Sequence, residues 1–191
     1  GFIMELLTKA SFNGEVSERE KQNLEVAYKA ACESMVLLKN ENVLPLKTKK
    51  VALYGPGVTR TIKGGTGSGE VNERHSVTIL EGMENREFEV TTKQWLKDYE
   101  DAYEAGELAH KKAQRDIIKL LKSKSFMEMM LKGYTPPAGR AITEKDISDS
   151  DTDTAIYVLS RQAGEGGDRK AEKGDLFITD EERAAIETCV K

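Results

Sequence analysis

The sequence predicts an α/β fold of Rossmann-like sandwich type: a parallel sheet of three strands with helices on both faces. Two observations predict it. Short apolar runs at Val51–Gly55, Phe88–Thr91 and Ala155–Leu159 read as strands, and each is followed by a segment of helical character. Strand, helix, strand, helix, strand, helix is the order of a parallel sheet joined by right-handed crossovers.

The elements follow in order. Ser17-Glu18-Arg19-Glu20 places Ser at a cap position and Glu three residues later, a pairing that satisfies the free N–H groups of a first helical turn. It opens a predicted helix with Leu24, Ala27, Ala31, Met35 and Leu38 at helical spacing, running to about Asn40. Asn42-Val43-Leu44-Pro45-Leu46 breaks that helix. Val51-Ala52-Leu53-Tyr54-Gly55, ended by Pro56 and Gly57, is the first strand and has the apolar continuity of a buried one. Residues 61–72 are too glycine-rich to be helix or strand throughout, and Val77, Ile79, Leu80 and Met83 predict a helix ending near Asn85. Phe88-Glu89-Val90-Thr91 is the second strand. From Tyr99 to Lys132 the residues favour helix, with Ile117, Ile118, Leu121, Phe126, Met130 and Leu131 as apolar content, until Gly133 and Pro136-Pro137 stop it. Residues 97–132 read as a long charged helical insertion, with Met127, Met129 and Met130 as core filler. Ala155-Ile156-Tyr157-Val158-Leu159 is the third strand. Thr179-Asp180-Glu181-Glu182 is a second capping box, leading into a terminal helix with Ala184, Ala185 and Ile186. The whole chain, residues 1–191, reads as one domain.

Composition excludes several function classes. With 38% hydrophobic and 32% charged residues the chain is an ordinary globular one, long enough for a packed core. A net charge of −4, with basic and acidic residues interleaved, argues against a nucleic-acid partner. Cys32 and Cys189 are too few for a disulfide framework and read as small buried apolar residues. No run approaches the roughly 20 apolar residues of a membrane helix. Gly1–Leu7 is too short and too charged for a secretory signal, so no membrane partner is expected and a cytoplasmic location is favoured. His75 and His110 sit on unrelated segments and read as surface or structural histidines; no metal or cofactor is expected. Trp95 reads as a packing residue.

Two loops carry the candidate chemistry. If the first strand is central, the loops after strands one and three diverge at a switch point, where open α/β sheets bind ligands. The first loop contains Lys63-Gly64-Gly65-Thr66-Gly67-Ser68-Gly69, and the second Leu159-Ser160-Arg161-Gln162-Ala163-Gly164-Glu165-Gly166-Gly167-Asp168-Arg169. A glycine-rich cradle would thus face an isolated acid, Glu165; alternatively the second loop is a surface turn that happens to contain Glu. The first loop is not a nucleotide cradle by motif. Lys63 precedes the glycines instead of following them, and no third glycine stands three residues after Gly67.

Three blocks together resemble the carboxyl-side α/β sandwich domain of glycoside hydrolase family 3, which includes β-glucosidases and β-xylosidases. Ala30-Ala31-Cys32-Glu33-Ser34-Met35-Val36-Leu37-Leu38-Lys39-Asn40 with Leu44-Pro45-Leu46 is similar to the family's entry segment. Val51–Gly55 with Gly64-Gly65-Thr66-Gly67-Ser68-Gly69 is similar to its first strand and glycine loop, and Arg161–Arg169 to its S-G-E-G-x-D-R loop. The resemblance implies a retaining glycosidase, in which one carboxylate attacks the sugar and a second, about 5 Å away, protonates the departing oxygen and then activates water. It implies that Glu165 is the catalytic acid/base and that the nucleophilic Asp lies on a (β/α)₈ barrel. Gly65, Thr66 and Ser68 would then approach the leaving-group sugar of an oligosaccharide or glycoside substrate. Lys63, Asp168 and Arg169 are expected to support the site, the last two as an ion pair steadying the loop.

Nothing in the chain resembles the barrel, and the family's sandwich carries further strands, so the resemblance implies that residues 1–191 are one partial sandwich domain, an incomplete one with three parallel strands. The expectation is therefore a fragment of a longer β-glucosidase-like enzyme, with domains in permuted order, that is catalytically incomplete by itself. An unpaired edge at Ala155–Leu159 makes a homodimer one expected assembly. The competing expectation is a noncatalytic glycan- or nucleotide-binding module.

Overall fold

A computed structural model describes residues 14–65, 74–119, 134–163 and 169–190. The chain forms two compact units, residues 1–46 and 47–191.

In the first unit, helix α1 spans Glu18–Ser34, with the Ser17 hydroxyl accepting from Glu20 N at 3.2 Å as the capping pattern requires. It stops about six residues short of the expected end at Asn40. The Ser34 hydroxyl donates to the Ala31 carbonyl at 2.9 Å, satisfying a terminal acceptor from the side chain, and Met35 turns extended at φ −75° and ψ 131°. No residue of α1 is buried, Cys32 included, so the expectation of a buried Cys32 is corrected. Past the helix Asn40 organises a turn: its Oδ1 accepts from Val43 N at 3.1 Å and Leu44 N at 3.0 Å, ahead of a cis Leu44–Pro45 bond.

The second unit holds the sheet. Strands β1 (Lys50–Tyr54), β2 (Glu89–Val90) and β3 (Ala155–Tyr157) lie in the order β2-β1-β3, both pairings parallel. The central position of β1 is as expected, and three parallel strands among helices give the predicted α/β class. Val51, Ala52, Leu53 and Tyr54 are almost wholly buried, which explains why this strand reads as an unbroken apolar run.

Pairing along β1 alternates. Ala52 N donates to Thr154 O at 2.9 Å and Tyr54 O accepts from Val158 N at 2.8 Å, so even-numbered residues bond toward β3. Val51 O accepts from Thr91 N at 3.0 Å, so odd-numbered residues bond toward β2. Strand β2 ends before Leu53, and a side chain takes over. The Thr92 hydroxyl accepts from Leu53 N at 2.9 Å and donates to Leu53 O at 2.6 Å, satisfying both backbone groups in the buried core.

Helix α2 (Ile79–Glu84) ends at Asn85, as read from sequence, and starts at a Thr78 cap that the sequence reading did not name. Helix α3 spans Lys93–Lys119 and begins six residues before the expected Tyr99. Its first turns carry the apolar face: Trp95, Leu96 and Tyr99 are buried, Trp95 packs edge-on to Tyr54 at 5.5 Å, and Trp95 stacks on Tyr99 at 6.2 Å. Trp95 is thus the packing residue expected. Ion pairs such as Lys97–Asp101 at 2.5 Å and Lys111–Glu107 at 2.7 Å line the outer face of α3, as its charge pattern predicts. The Met127, Met129 and Met130 cluster and the end of the predicted insertion lie outside the described residues.

Helix α4 (Glu144–Ser150) was not anticipated. Thr143 and Asp146 form its capping box, with Asp in place of the usual Glu or Gln, and Arg140 grips the same Asp146 carboxylate at 2.7 and 2.8 Å. Helix α5 (Asp180–Val190) follows β3 and starts at the expected box. Among the described residues β3 has a strand partner on one side only, and no helix is long and apolar enough to cross a membrane.

Replacing Thr92 by Val leaves both Leu53 backbone groups unpaired in a dry core. Urea denaturation is expected to show a loss of about 1–3 kcal/mol, with an unchanged slope.

Candidate active site

The site begins where β1 and β3 end. Gly55 has φ +97°, and a methyl group placed on it would lie 2.5 Å from the Val158 carbonyl oxygen. On Gly57 it would meet Val158 Cγ1 at 2.6 Å. These glycines are needed because the two loops leave the sheet in contact, with no room for a Cβ between them.

The loops stay together. Gln162 Nε2 donates to Gly64 O at 3.2 Å, and a methyl on Gly65 would lie 2.9 Å from Ala163 O. Gly65 and Ala163 are the last described residues before the segments 66–73 and 164–168. Of the residues predicted from sequence, Lys63, Gly65 and Arg169 are therefore described, whereas Thr66, Ser68, Glu165 and Asp168 lie outside the described residues.

The first loop is anchored from below. Val58 is fully buried, Thr61 Oγ1 donates to Gly57 O at 2.8 Å and accepts from Ile79 N at 2.9 Å, and Leu80 N donates to Val58 O at 3.1 Å. Thr59 and Arg60 both bond Glu100 of α3, with the Arg60 guanidinium 4.2 Å over the Tyr103 ring. His75 is a surface residue as expected, although it does have a carboxylate partner, Glu81, at 2.9 Å. His110 rests against the Tyr134 ring at 5.8 Å.

The second loop is held by residues that the sequence reading missed. Arg161 donates to both carboxylate oxygens of Glu182 at 2.6 Å, to Asp175 O at 3.0 Å and to Ser160 O at 2.8 Å. Glu182, 6% exposed at its side chain, also accepts from Thr179 N at 2.8 Å, so one carboxylate serves both the helix cap and the arginine. Arg169 bonds Asp175 at 2.5 Å, and Lys170 N donates to the same carboxylate at 2.7 Å. Among the described residues Arg169 thus pairs with Asp175, six positions later; the expected pair with Asp168 falls on a residue outside the described ones. The sequence signal for Glu182 was its capping position; its second role depends on a residue 21 positions away.

The electrostatics follow from these bonds. The Arg161 guanidinium holds the Glu182 carboxyl below its ordinary value despite burial, and Arg161 is itself raised by the same pair. The Lys170 N–H, then Arg169, lower Asp175.

A model of the glycosyl hydrolase family 3 C-terminal domain matches residues 35–191. The chain belongs to this family. The family 3 chain is 33% identical over 181 residues to beta-glucosidase A from Butyrivibrio fibrisolvens, covering 92% of this chain and 19% of that protein. Among solved structures it resembles beta-glucosidase 3B from Thermotoga neapolitana. The complex with alpha-D-glucose superposes with a TM-score of 0.67 at 34% identity, covering 91% of this chain and 22% of the other. The glycerol complex gives 0.66 at 32% identity, covering 97% and 24%. The family 3 chain thus spans about a fifth of the length of these relatives.

Because the Glu182 carboxyl is depressed in the folded state, its contribution to stability is complete above its ordinary value of 4.5 and is lost as pH falls through the depressed value. Glu182→Gln is expected to lower stability at neutral pH by about 1.5–3 kcal/mol. The gap to wild type should narrow as urea titrations move into the acid range, whereas a gap independent of pH would assign the loss to packing alone.

Proposed function

We propose that this chain supplies the general acid/base of a retaining β-glucosidase, with Glu165 as the proton-transferring carboxyl and an Asp nucleophile on a barrel domain outside the chain. The observation that carries this reading is the meeting of the two loops. Gly65 and Ala163, which border the segments bearing Thr66, Ser68 and Glu165, are in contact at the carboxyl end of a parallel sheet whose central strand is β1. That is the switch-point crevice in which such sheets bind ligands. The relatives support the substrate class, since one is named a beta-glucosidase and another was solved with glucose. Their roughly fivefold greater length leaves room for a barrel.

In this reading the Glu165 carboxyl protonates the glycosidic oxygen as the barrel Asp attacks the anomeric carbon, forming a covalent glycosyl intermediate. The resulting carboxylate then takes a proton from water as that water displaces the Asp. Gly65, Thr66 and Ser68 contact the leaving-group sugar, and Lys63, Asp168 and Arg169 support the two loops. The isolated chain, lacking the nucleophile, does not turn over substrate.

The test uses the full-length enzyme that carries this chain. Glu165→Ala is expected to lower kcat/KM on an alkyl β-glucoside by about 10²–10⁴, because the poor leaving group then departs unprotonated. A nitrophenyl glucoside should suffer less and regain rate with azide, which replaces water at the intermediate without needing a base. Wild-type turnover of the alkyl glucoside would remove Glu165 from the mechanism. Calorimetric binding of glucose to the isolated chain would favour the binding-module reading instead.

A further inference from the structure

The buried apolar residues described all lie between Val51 and Ile142, whereas most of the large apolar side chains exposed among the described residues fall between Val16 and Leu44. In α1 they are ordered. Leu24, Ala27, Tyr28 and Ala31 recur at spacings of three and four and so share one face of the helix, with Leu24 and Tyr28 61% and 58% exposed. Arg19, Gln22, Lys29 and Glu33 take the opposite face, together with Val26. Past the helix Met35, Val36, Leu37 and Leu38 continue the run of exposed apolar side chains. Single exposed apolar residues are ordinary on a protein surface, but a continuous stripe of them marks a contact face. A helix of this kind also needs support. Even alanine-rich helices shorter than about 12–15 residues are marginal in water, and α1, with 17 residues, carries the weak helix formers Asn23, Val26, Tyr28 and Cys32 and buries none of its side chains.

We propose that the Leu24 face of α1 docks on the domain that carries the nucleophile, elsewhere in the same polypeptide. Two observations choose this occupant. Helix α1 lies outside residues 35–191, the part that matches the C-terminal domain model, so it belongs to the boundary of that domain and not to its interior. The chain spans about a fifth of the length of its relatives, and in a protein of their length most of the surface able to cover the stripe lies outside residues 1–191. The proposal rests on the reading above in one respect, that the nucleophile stands on a separate domain. Under that reading the two domains must touch, since the carboxyls of a retaining pair act on one sugar from about 5 Å apart. An apolar stripe on a helix then braces the contact. Loosening the brace misplaces one domain against the other, and a displacement of about 1 Å between reacting groups costs on the order of 100-fold in rate.

The experiment uses the full-length enzyme. An amine-reactive cross-linker at Lys21 and Lys29, which flank the stripe, is expected to join them to the domain bearing the nucleophile, and amide hydrogen exchange of residues 18–34 should be slow. Leu24→Glu should abolish both the cross-links and the protection, and lower kcat/KM on alkyl and nitrophenyl β-glucosides alike by about 10–100-fold. Val26→Glu, on the opposite face, should leave all of these as in wild type. Fast exchange of residues 18–34 in the wild-type enzyme would overturn the proposal, as would cross-links confined to residues 1–191 or leading to any other domain. Cross-links between isotopically light and heavy copies in a mixed sample would overturn it too, because a second copy of the chain would then be the occupant. Should Leu24→Glu fail to fold, exchange and cross-linking of the wild-type enzyme still decide. The two readings fail separately. If Glu165→Ala loses alkyl glucoside turnover while the stripe proves unprotected, the docking face alone falls; if the cross-links form while Glu165→Ala is indifferent, the acid/base assignment falls and the docking face stands.

Discussion

The double-sided pairing of β1 is the constraint on which the rest of the second unit depends. Its backbone groups are committed alternately toward β2 and β3, and where β2 runs out the Thr92 hydroxyl completes the ladder at Leu53. A strand buried on both faces and bonded along both edges has no freedom to slide, because a slip of one residue would strand every one of these groups. The exit points of the loops after Tyr54 and Tyr157 are fixed by that register. Their contact at Gly55, Gly57 and Val158 is therefore a property of the sheet, inherited by whatever the loops carry.

The same small device occurs twice at the ends of this sheet. Thr143 with Asp146, and Thr179 with Glu182, each form a reciprocal helix cap, and in each case an arginine lying just ahead of the helix or at the end of β3 binds both oxygens of the capping carboxylate. The N-terminal end of a helix already favours negative charge, and the arginine adds a second stabilising partner. Both carboxyls are correspondingly depressed. Through this arrangement two irregular connections, one entering α4 and one leaving β3, are attached to helices by side chains where no continuous backbone ladder reaches them.

Much of this architecture was legible in the sequence because it depends on local pattern. Val51–Tyr54 is apolar at every position since both faces are covered, and the Ser17 and Thr179 caps announce their helices directly. What escaped depends on partners distant in the chain or on departures from the usual residue types. Helix α4 was missed because its box uses Asp146 and the helix is only seven residues long. The beginning of α3 was placed too late because Trp95 follows β2 so closely that its helical register with Leu96 and Tyr99 is hidden by charged neighbours. Of the candidate site, the described stems of the glycine loop and of the loop after β3 lie together, as the strand order predicted. The Arg161–Glu182 attachment and the Asp175 partner of Arg169 were invisible, since spacings of 21 and six residues match no local rule.

Trp95 is the chain's lone indole, and it sits between Tyr54 of β1 and Tyr99 of α3. Its intrinsic emission in the isolated chain therefore originates from one address, the seam between central strand and long helix. Phenol rings on both sides stand close enough to pass excitation to it, so light absorbed by those tyrosines is funnelled into the same reporter. Loss of the Tyr54 share of that transfer, together with a red shift, marks separation of the helix from the strand, and the native chain carries this optical probe without any label.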